Sequence, residues 1–198
     1  MNFLKTFRVS GCALLVVSGV AGCGGKSPGS SNVTTPSPVL VNEIFTPSGA
    51  GPSLEICTVD LMSCSPSGPG PLTRVPGVLR VSPRGHVTLS HEGTTIWMGG
   101  NSSLAIRDDT APIELQRGDV QINTSTQSMR VNAGGTLIEI SGHSVAVIEA
   151  TDTTKASITV RRGSAVGQGV KLAPGDSARL LTGAAPDSNA AWRGELAP

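Results

Sequence analysis

The chain has 198 residues and a net charge of +1, because 15 basic and 14 acidic side chains nearly cancel. The charges are interspersed, so the sequence lacks the basic surface that nucleic acids require and argues against a nucleic-acid partner. Aromatic residues make up 3% of the chain and tyrosine is absent, which argues against a stacking platform for sugars or bases.

Residues 1–22 have the features of a bacterial lipoprotein signal peptide. Lys5 and Arg8 form a short positive segment, and residues 9–20 are an apolar stretch too short to span a bilayer as a helix. The following residues complete the sequence Val-Ala-Gly-Cys, which matches the lipobox, in which the cysteine is lipidated and becomes the mature N-terminus. We therefore expect Cys23 to carry acyl chains such as palmitate, and each buried CH₂ contributes about 0.8 kcal/mol to membrane binding.

Residues 23–38 set the expected location of the protein. Gly24, not aspartate, follows the lipidated cysteine, and by resemblance to bacterial sorting signals this favours the outer membrane. The folded part would then face the periplasm, with the cell surface as the alternative. The segment is rich in Gly, Ser, Thr and Pro, with Lys26 as its single charge. Because it buries too little apolar surface to offset the entropy of ordering, we expect a flexible tether.

Residues 39–74 form a Pro- and Gly-rich segment in which residues 39–45 and 54–59 are short candidates for edge strands. Cys57 and Cys64 are the cysteines that remain after cleavage and lipidation, and six residues separate them. In an oxidising compartment such a pair favours a disulfide over a metal site. The spacing is also wider than the Cys-x-x-Cys of redox enzymes.

Residues 75–183 alternate apolar and polar side chains in short runs bounded by glycine turns, as in Thr94–Met98. This period of two predicts half-buried strands, and no comparable window shows the 3.6-residue period of an amphipathic helix, so the folded part is predicted to be all-β. The buried parity changes at residues 117–118, which predicts a bulge or corner there. Residues 113–118 recur loosely as residues 158–163, which suggests stacked units that share a core.

Four segments of this region follow one another in a characteristic order. A Gly-led strand, a turn and an apolar pair occupy residues 93–106, and a strand that ends in a charged residue and glycine occupies residues 114–118. Residues 142–147 form another Gly-led strand, and residues 172–180 read Leu-Ala-Pro-Gly-Asp-Ser-Ala-Arg-Leu. Over about residues 78–183 this order resembles the periplasmic sensor domain of the FecR family. The resemblance implies short antiparallel strands in a solenoid-like or sandwich-like stack, used in envelope signalling, with no catalytic residues.

The chain departs from that family at both ends. FecR-family regulators usually carry a cytoplasmic anti-sigma segment and a membrane-spanning helix, whereas cleavage at a lipobox would leave neither. Direct control of a sigma factor is therefore not implied. Residues 184–198 form a C-terminal tail, in which residues 190–196 resemble the lead-in to a further domain that meets a receptor.

Few residues qualify as site candidates. Arg161 and Arg162 precede a glycine turn, and since neighbours alternate in a strand, one of them should face outward at the rim of a partner-binding surface.

His143 and Ser144 would lie on opposite faces of their strand, so no catalytic set is expected. Trp97 is expected to fill the core. A partner is expected on a strand edge or on the solvent face of a sheet, not in a deep pocket.

The expected function is that of a lipid-anchored, periplasm-facing module that binds or scaffolds an envelope protein in signalling or assembly, without catalysis. A purely structural envelope lipoprotein is the alternative. A cupin-like, metal-dependent enzyme is disfavoured because the Pro-Gly turn of residues 172–180 lacks histidine ligands. His86 and His91 are five residues apart and would lie on opposite faces of a strand, so neither a metal nor a cofactor is expected.

Overall fold

The structure, a computed structural model, describes residues 39–48, 53–72, 76–107 and 113–182, which all fall within one compact unit. Every regular element in these ranges is a β-strand, so the all-β prediction is confirmed. The ranges contain no helix that is long and apolar enough to cross a membrane. The strands are β1 (Leu40–Phe45), β2 (Leu54–Cys57), β3 (Cys64–Pro66), β4 (Gly70–Pro71), β5 (Gly77–Val81), β6 (His86–His91), β7 (Thr94–Met98), β8 (Ser103–Ile106), β9 (Ile113–Asn123), β10 (Met129–Ala133), β11 (Thr136–Ile140), β12 (Val145–Asp152), β13 (Lys155–Arg162), β14 (Ala165–Gly167), β15 (Val170–Leu172) and β16 (Ser177–Leu181).

The strands form two sheets that share one strand. Sheet A has the order β4-β1-β6-β7-β9-β12-β13-β16, and sheet B has the order β3-β2-β5-β8-β9-β10-β11-β14-β15. Neighbouring strands in the described part run antiparallel, except that β9 and β10 run parallel. The predicted short antiparallel strands are therefore observed, and the parallel β9–β10 pair, which was not predicted, makes sheet B mixed.

The shared strand is β9. Residues 113–117 pair with β8 and β10 in sheet B, and residues 118–123 pair with β7 and β12 in sheet A. The change of sheet coincides with a bulge in the pairing to β8 and with a φ of 91° at Gly118, a conformation that favours glycine. The corner predicted from the change in buried parity is confirmed.

After β9 the chain returns to its starting point. It turns out of sheet A and re-enters sheet B as β10, where Val131 lies beside Ile113. Between these two residues the chain passes once through each sheet, as in one turn of a β-solenoid. The remaining strands pair as in a sandwich, so each of the two arrangements that the sequence left open describes part of the fold.

The core lies between the two sheets and is aliphatic. In β7 the buried residues Thr94, Ile96 and Met98 alternate with the exposed Thr95 and Trp97, as a period of two requires. Both sheets contribute fully buried large side chains: Leu89, Ile96, Met98, Ile122, Ile148 and Ile158 from sheet A, and Leu54, Leu79, Leu104, Leu115, Ile138 and Ile140 from sheet B. These apolar side chains pack against one another and hold the two sheets together, and the outer faces of the sheets remain available for other contacts.

The corner within β9 is built around a buried serine. Gly118 packs against Ser102, which is 1% exposed. The Oγ of Ser102 donates a hydrogen bond to the carbonyl of Asp119 (3.0 Å) and accepts one from its N–H (3.1 Å). One hydroxyl thus satisfies two backbone groups where the strand leaves its ladder.

A second corner repeats this arrangement after β13. Gly163 packs against the fully buried Ser144. The Oγ of Ser144 donates to the carbonyl of Ser164 (3.2 Å) and accepts from its N–H (3.0 Å). The repeat noticed in the sequence therefore has a structural counterpart, in which the terminal glycine lets the chain approach a serine of the neighbouring corner.

The first four strands, in residues 39–48 and 53–72, belong to the same two sheets. β1 pairs with β6 in sheet A, and β2 pairs with β5 in sheet B. Val41 and Leu54 are buried in the shared core. The Pro- and Gly-rich segment therefore supplies strands to the domain that the rest of the chain forms.

Candidate interaction surface

The described sheets end in four edge strands, β4 and β16 in sheet A and β3 and β15 in sheet B. β3 and β4 are short and contain Pro66 and Pro71, which cannot donate to a ladder, and β15 has three residues. β16 has five residues and no proline. Among the described edges it is the one best suited to accept a strand from another protein.

Within the described part of the chain, the backbone of β16 pairs with a strand on one side only. Thr182, which follows the strand, donates its N–H to the carbonyl of Thr154 at the β13 side (3.1 Å). Hydrogen-bonding directions alternate along an antiparallel strand, so the odd-numbered residues point the other way. The N–H and C=O groups of Ser177, Arg179 and Leu181 therefore face away from β13.

Gln168 closes one end of this edge. Its side-chain amide donates to the carbonyl of Leu181 (2.8 Å) and to the hydroxyl of Thr136 (3.3 Å). Among the described residues, the groups left without a partner are then the N–H and C=O of Ser177 and Arg179 and the N–H of Leu181. These groups recur at every second residue, which is the spacing of a β-ladder, so a single extended segment can pair with them.

Basic side chains lie beside the open edge. Arg179 is exposed on β16, and the exposed Lys155 lies opposite Leu181 across the β13–β16 pair. The single ion pair among the described residues lies on sheet B, so neither basic group is ion-paired there. A partner strand at this edge would meet positive charge along its outer face.

Arg161 and Arg162 end β13 near the same edge, and both are exposed. Strict alternation predicted that one of them would face outward. The pairing shows why both do, because Val145 lies opposite Arg162 and Ala146 opposite Val160, which leaves Arg161 as the extra residue of a bulge. Arg162 lies on the outer face of sheet A, where its Nη2 donates to the Oδ1 of Asn123 (3.4 Å).

Cys57 and Cys64 form a disulfide that joins β2 to β3, so the predicted bridge is confirmed. Glu55 lies beside them, and the three residues together have the donor types of a metal site. Both sulfurs are engaged in the bridge, however, and are not available as thiolate ligands. The cysteines therefore have a structural role at the base of the 58–63 loop.

Two exposed carboxyl groups lie in hairpin turns that favour their charged form. Asp152 accepts hydrogen bonds from the hydroxyl of Thr154 (2.6 Å) and from its N–H (2.7 Å), which hold the pKa of this carboxyl below 3.8. The hydroxyl of Thr58 and the N–H of Met62 lower the pKa of Asp60 in the same way. Each carboxylate thus caps its own turn.

His143 and Ser144 do not form a catalytic pair. Ser144 is fully buried and its Oγ is bonded to Ser164, so it is not a free nucleophile. His143 is exposed in the preceding turn, with a φ of 57°. The role of Ser144 as a corner residue could have been read from the sequence only by aligning it with Ser102 in the other corner.

The expectation that Trp97 fills the core is wrong, because its side chain lies on the outer face of sheet A and is 38% exposed. The His86 ring lies between those of Trp97 and Phe45, with centroid distances of 5.8 and 4.6 Å. The signal was present in the sequence, since Trp97 has the parity opposite to Ile96 and Met98.

Three predicted features lie outside the described residues: Cys23 with its lipobox, the tether of residues 23–38, and the tail of residues 184–198. They stay predictions.

A family model described as FecR protein matches residues 78–166, which run from β5 into β14. No curated protein matches the chain. The matched region contains β9 and both serine corners, whereas β1–β4, β15 and β16 lie outside it. The resemblance noted in the sequence is thus confirmed for the centre of the fold.

Proposed function

Because residues 78–166 form a FecR-family domain, we propose that the chain is a lipid-anchored module that faces the periplasm and binds or scaffolds an envelope protein. The family assignment supports a role in signalling or sensing. The lipobox that ends at Cys23 and the polar tether of residues 23–38 support attachment to the outer membrane. In this proposal the module acts by binding and catalyses no reaction.

The open edge of β16 is the observation that favours binding over a purely structural role. Proteins usually protect a sheet edge, and the other described edges are short or carry proline. β16 instead presents backbone groups at Ser177 and Arg179 that have no partner among the described residues. Addition of a partner strand would satisfy these groups and extend sheet A.

The charges beside the edge define the chemistry of the partner. Arg179 and Lys155 are exposed on the outer face, and Arg161 and Arg162 lie beyond the start of β16. We infer that the partner contributes an extended segment with acidic side chains on the same face. Since these charges are exposed, each would act mainly on the rate and specificity of docking, while the backbone bonds would hold the complex.

A proline at position 179 tests this mode of binding. Arg179→Pro removes an N–H that faces away from β13, so the hydrogen bonds between β13 and β16 and the fold should survive. Arg179→Ala is the matched control, because it removes the same charge and keeps the N–H. The full chain with either substitution would be crosslinked in intact cells, and captured proteins would be identified by mass spectrometry.

The proposal expects one captured protein that is reduced with Arg179→Ala and lost with Arg179→Pro, while circular dichroism shows the native fold in both. Capture that is insensitive to Arg179→Pro would overturn docking at the β16 edge. If no protein is enriched over an unrelated lipoprotein with the same anchor, the role is structural.

A further inference from the structure

The outer face of sheet A carries an aromatic strip, formed by Phe45 on β1, His86 on β6 and Trp97 on β7. The Phe45 and His86 rings stack with centroids 4.6 Å apart and planes at 7°, and the Trp97 ring lies 5.8 Å from His86 at 33°. Phe45 is 47% exposed and Trp97 is 38% exposed. The strip lies on the half of the sheet away from β16.

The position of these rings is not what folding alone favours. The described residues contain no other phenylalanine or tryptophan, and the large buried side chains of the core are leucine, isoleucine and valine with two methionines. A buried aromatic ring contributes more to stability than almost any other side chain. Both of these rings of the described residues lie outside the core and are in contact through a third ring, which is the kind of patch that marks an interaction site.

A carboxylate borders the strip. Asp119 lies on β9, two residues from Gln121, which is directly opposite Trp97 on the same face. Gly99 directly follows β7 and is the next residue after Trp97 on this face, and a Cβ placed there would lie 2.8 Å from the Cγ of Asp119. The Asp119 carboxylate therefore lies over Gly99, on the side of β9 that faces the aromatic strip.

A second carboxylate lies directly opposite the first. Asp119 faces Glu149 across the β9–β12 pair, an arrangement of like charges that destabilises a sheet. Glu43 on β1 adds a third exposed acid. β1, β6, β7, β12 and the second half of β9 contain no lysine or arginine, although Arg117 directly precedes that half of β9 and Arg162 of β13 reaches the same face beside Asn123. This half of the face is thus aromatic and acidic, with no counter-charge on its own strands.

We propose that this surface binds a basic segment of a protein, with a guanidinium or ammonium group placed over the ring of Trp97 and against the carboxylates of Asp119 and Glu149. An indole ring attracts a cation through its negative face, and a carboxylate beside the ring adds a charge-assisted contact. A bound cation would also relieve the repulsion between the two acids. A sugar ring can stack on an indole too, but it gives no reason for two opposed carboxylates.

The fluorescence of Trp97 can be used to measure binding at this surface. The chain has two tryptophans, so Trp192→Phe leaves Trp97 as the single source of tryptophan fluorescence. The purified full chain with this substitution would be titrated with hexa-arginine, hexa-glutamate and a tetramer of N-acetylglucosamine. The proposal expects a saturable fluorescence change with hexa-arginine alone, which weakens as the salt concentration rises from about 50 to about 500 mM.

Two further variants assign the effect to the carboxylates. Asp119→Asn combined with Glu149→Gln should weaken hexa-arginine binding by about five-fold or more, whereas Glu139→Gln, which removes an exposed carboxylate from sheet B, should leave it unchanged. Arg179→Pro should have no effect, because the β16 edge is a different surface. Equal binding by the double variant, a response to the saccharide instead of the peptide, or no response at all would each overturn the proposal.

Discussion

Gly118 lies so close to Ser102 that a Cβ at position 118 would come within 2.8 Å of the Ser102 Cβ. The glycine also has a φ of 91°, a value that other residues rarely adopt. Two separate causes therefore require glycine at this corner. Gly175 has the same φ of 91° but open space around an added Cβ, so a comparison of the two positions separates backbone strain from steric exclusion.

Gly118→Ala is expected to lower the free energy of unfolding by about 2–4 kcal/mol, and Gly175→Ala by about 1 kcal/mol. The larger loss has a steric origin, because the corner cannot move away from Ser102 without breaking the two hydrogen bonds to Asp119. Urea denaturation of both variants, followed by circular dichroism, provides the measurement. Similar losses at the two positions would mean that the contact with Ser102 adds nothing to the requirement for glycine.

Reduction of the Cys57–Cys64 bridge should cost about 2–3 kcal/mol of stability, since the loop it closes is short. Unfolding in the presence and absence of reductant gives this difference. The double variant Cys57→Ala and Cys64→Ala is the control, and reductant should not change its stability. Alkylation of protein extracted without reductant, followed by mass measurement, should find no free thiol at either position, and two labelled cysteines would contradict the assignment.

The carboxyl of Asp152 should titrate below pH 3.8, because the hydroxyl and N–H of Thr154 bond to its charged form. A carboxyl whose pKa is lower in the folded state contributes stability that is present above its unfolded pKa and is lost as the pH falls through its folded pKa. NMR titration should show the pKa of Asp152 rising with Thr154→Ala and unchanged with Thr151→Ala, which keeps both hydrogen bonds. An unchanged pKa in Thr154→Ala would show that the hydroxyl has no part in the shift.

Cys23→Ser should abolish lipidation, because the sulfur of the Cys23 thiol is the atom that receives the first lipid. Cells that express the variant are expected to show no palmitate in the protein after metabolic labelling, and the chain should be unanchored or uncleaved. Cys12→Ser is a suitable control, since it changes a cysteine of the signal peptide and leaves the lipobox intact. Labelling that persists with Cys23→Ser would exclude this residue as the site.

Local alternation was enough to predict the strands and the corner in β9, because both depend on which face each side chain occupies. The same rule, followed strictly, would have placed Trp97 outside, opposite to Ile96 and Met98. The prediction is wrong there because the hydrophobicity of an indole favours burial, whereas the position of Trp97 in the strand decides its face. At Arg161 the alternation rule itself fails, because a bulge interrupts the strand there. Only the pairing with β12 reveals this bulge.

The order of strands in the sheets could not be predicted from local pattern. β1 pairs with β6 and β2 with β5, so the short strands at the start of the chain alternate between two sheets whose other strands come much later. Nothing in residues 39–59 specifies these partners, because backbone pairing is the same for any sequence. The open edge at β16 and the aromatic strip both follow from this order, which is why neither was visible before the sheets were known.

The passage of β9 through both sheets has a consequence for how the protein unfolds. One continuous strand supplies a central neighbour to β8 and β10 on one side and to β7 and β12 on the other. When the strands of one sheet come apart, β9 is pulled out of the middle of the other sheet as well. The two sheets therefore cannot unfold as independent units. A force or a partner that acts on the edge of sheet A therefore affects sheet B in two ways, through the continuous backbone of β9 and through the shared core.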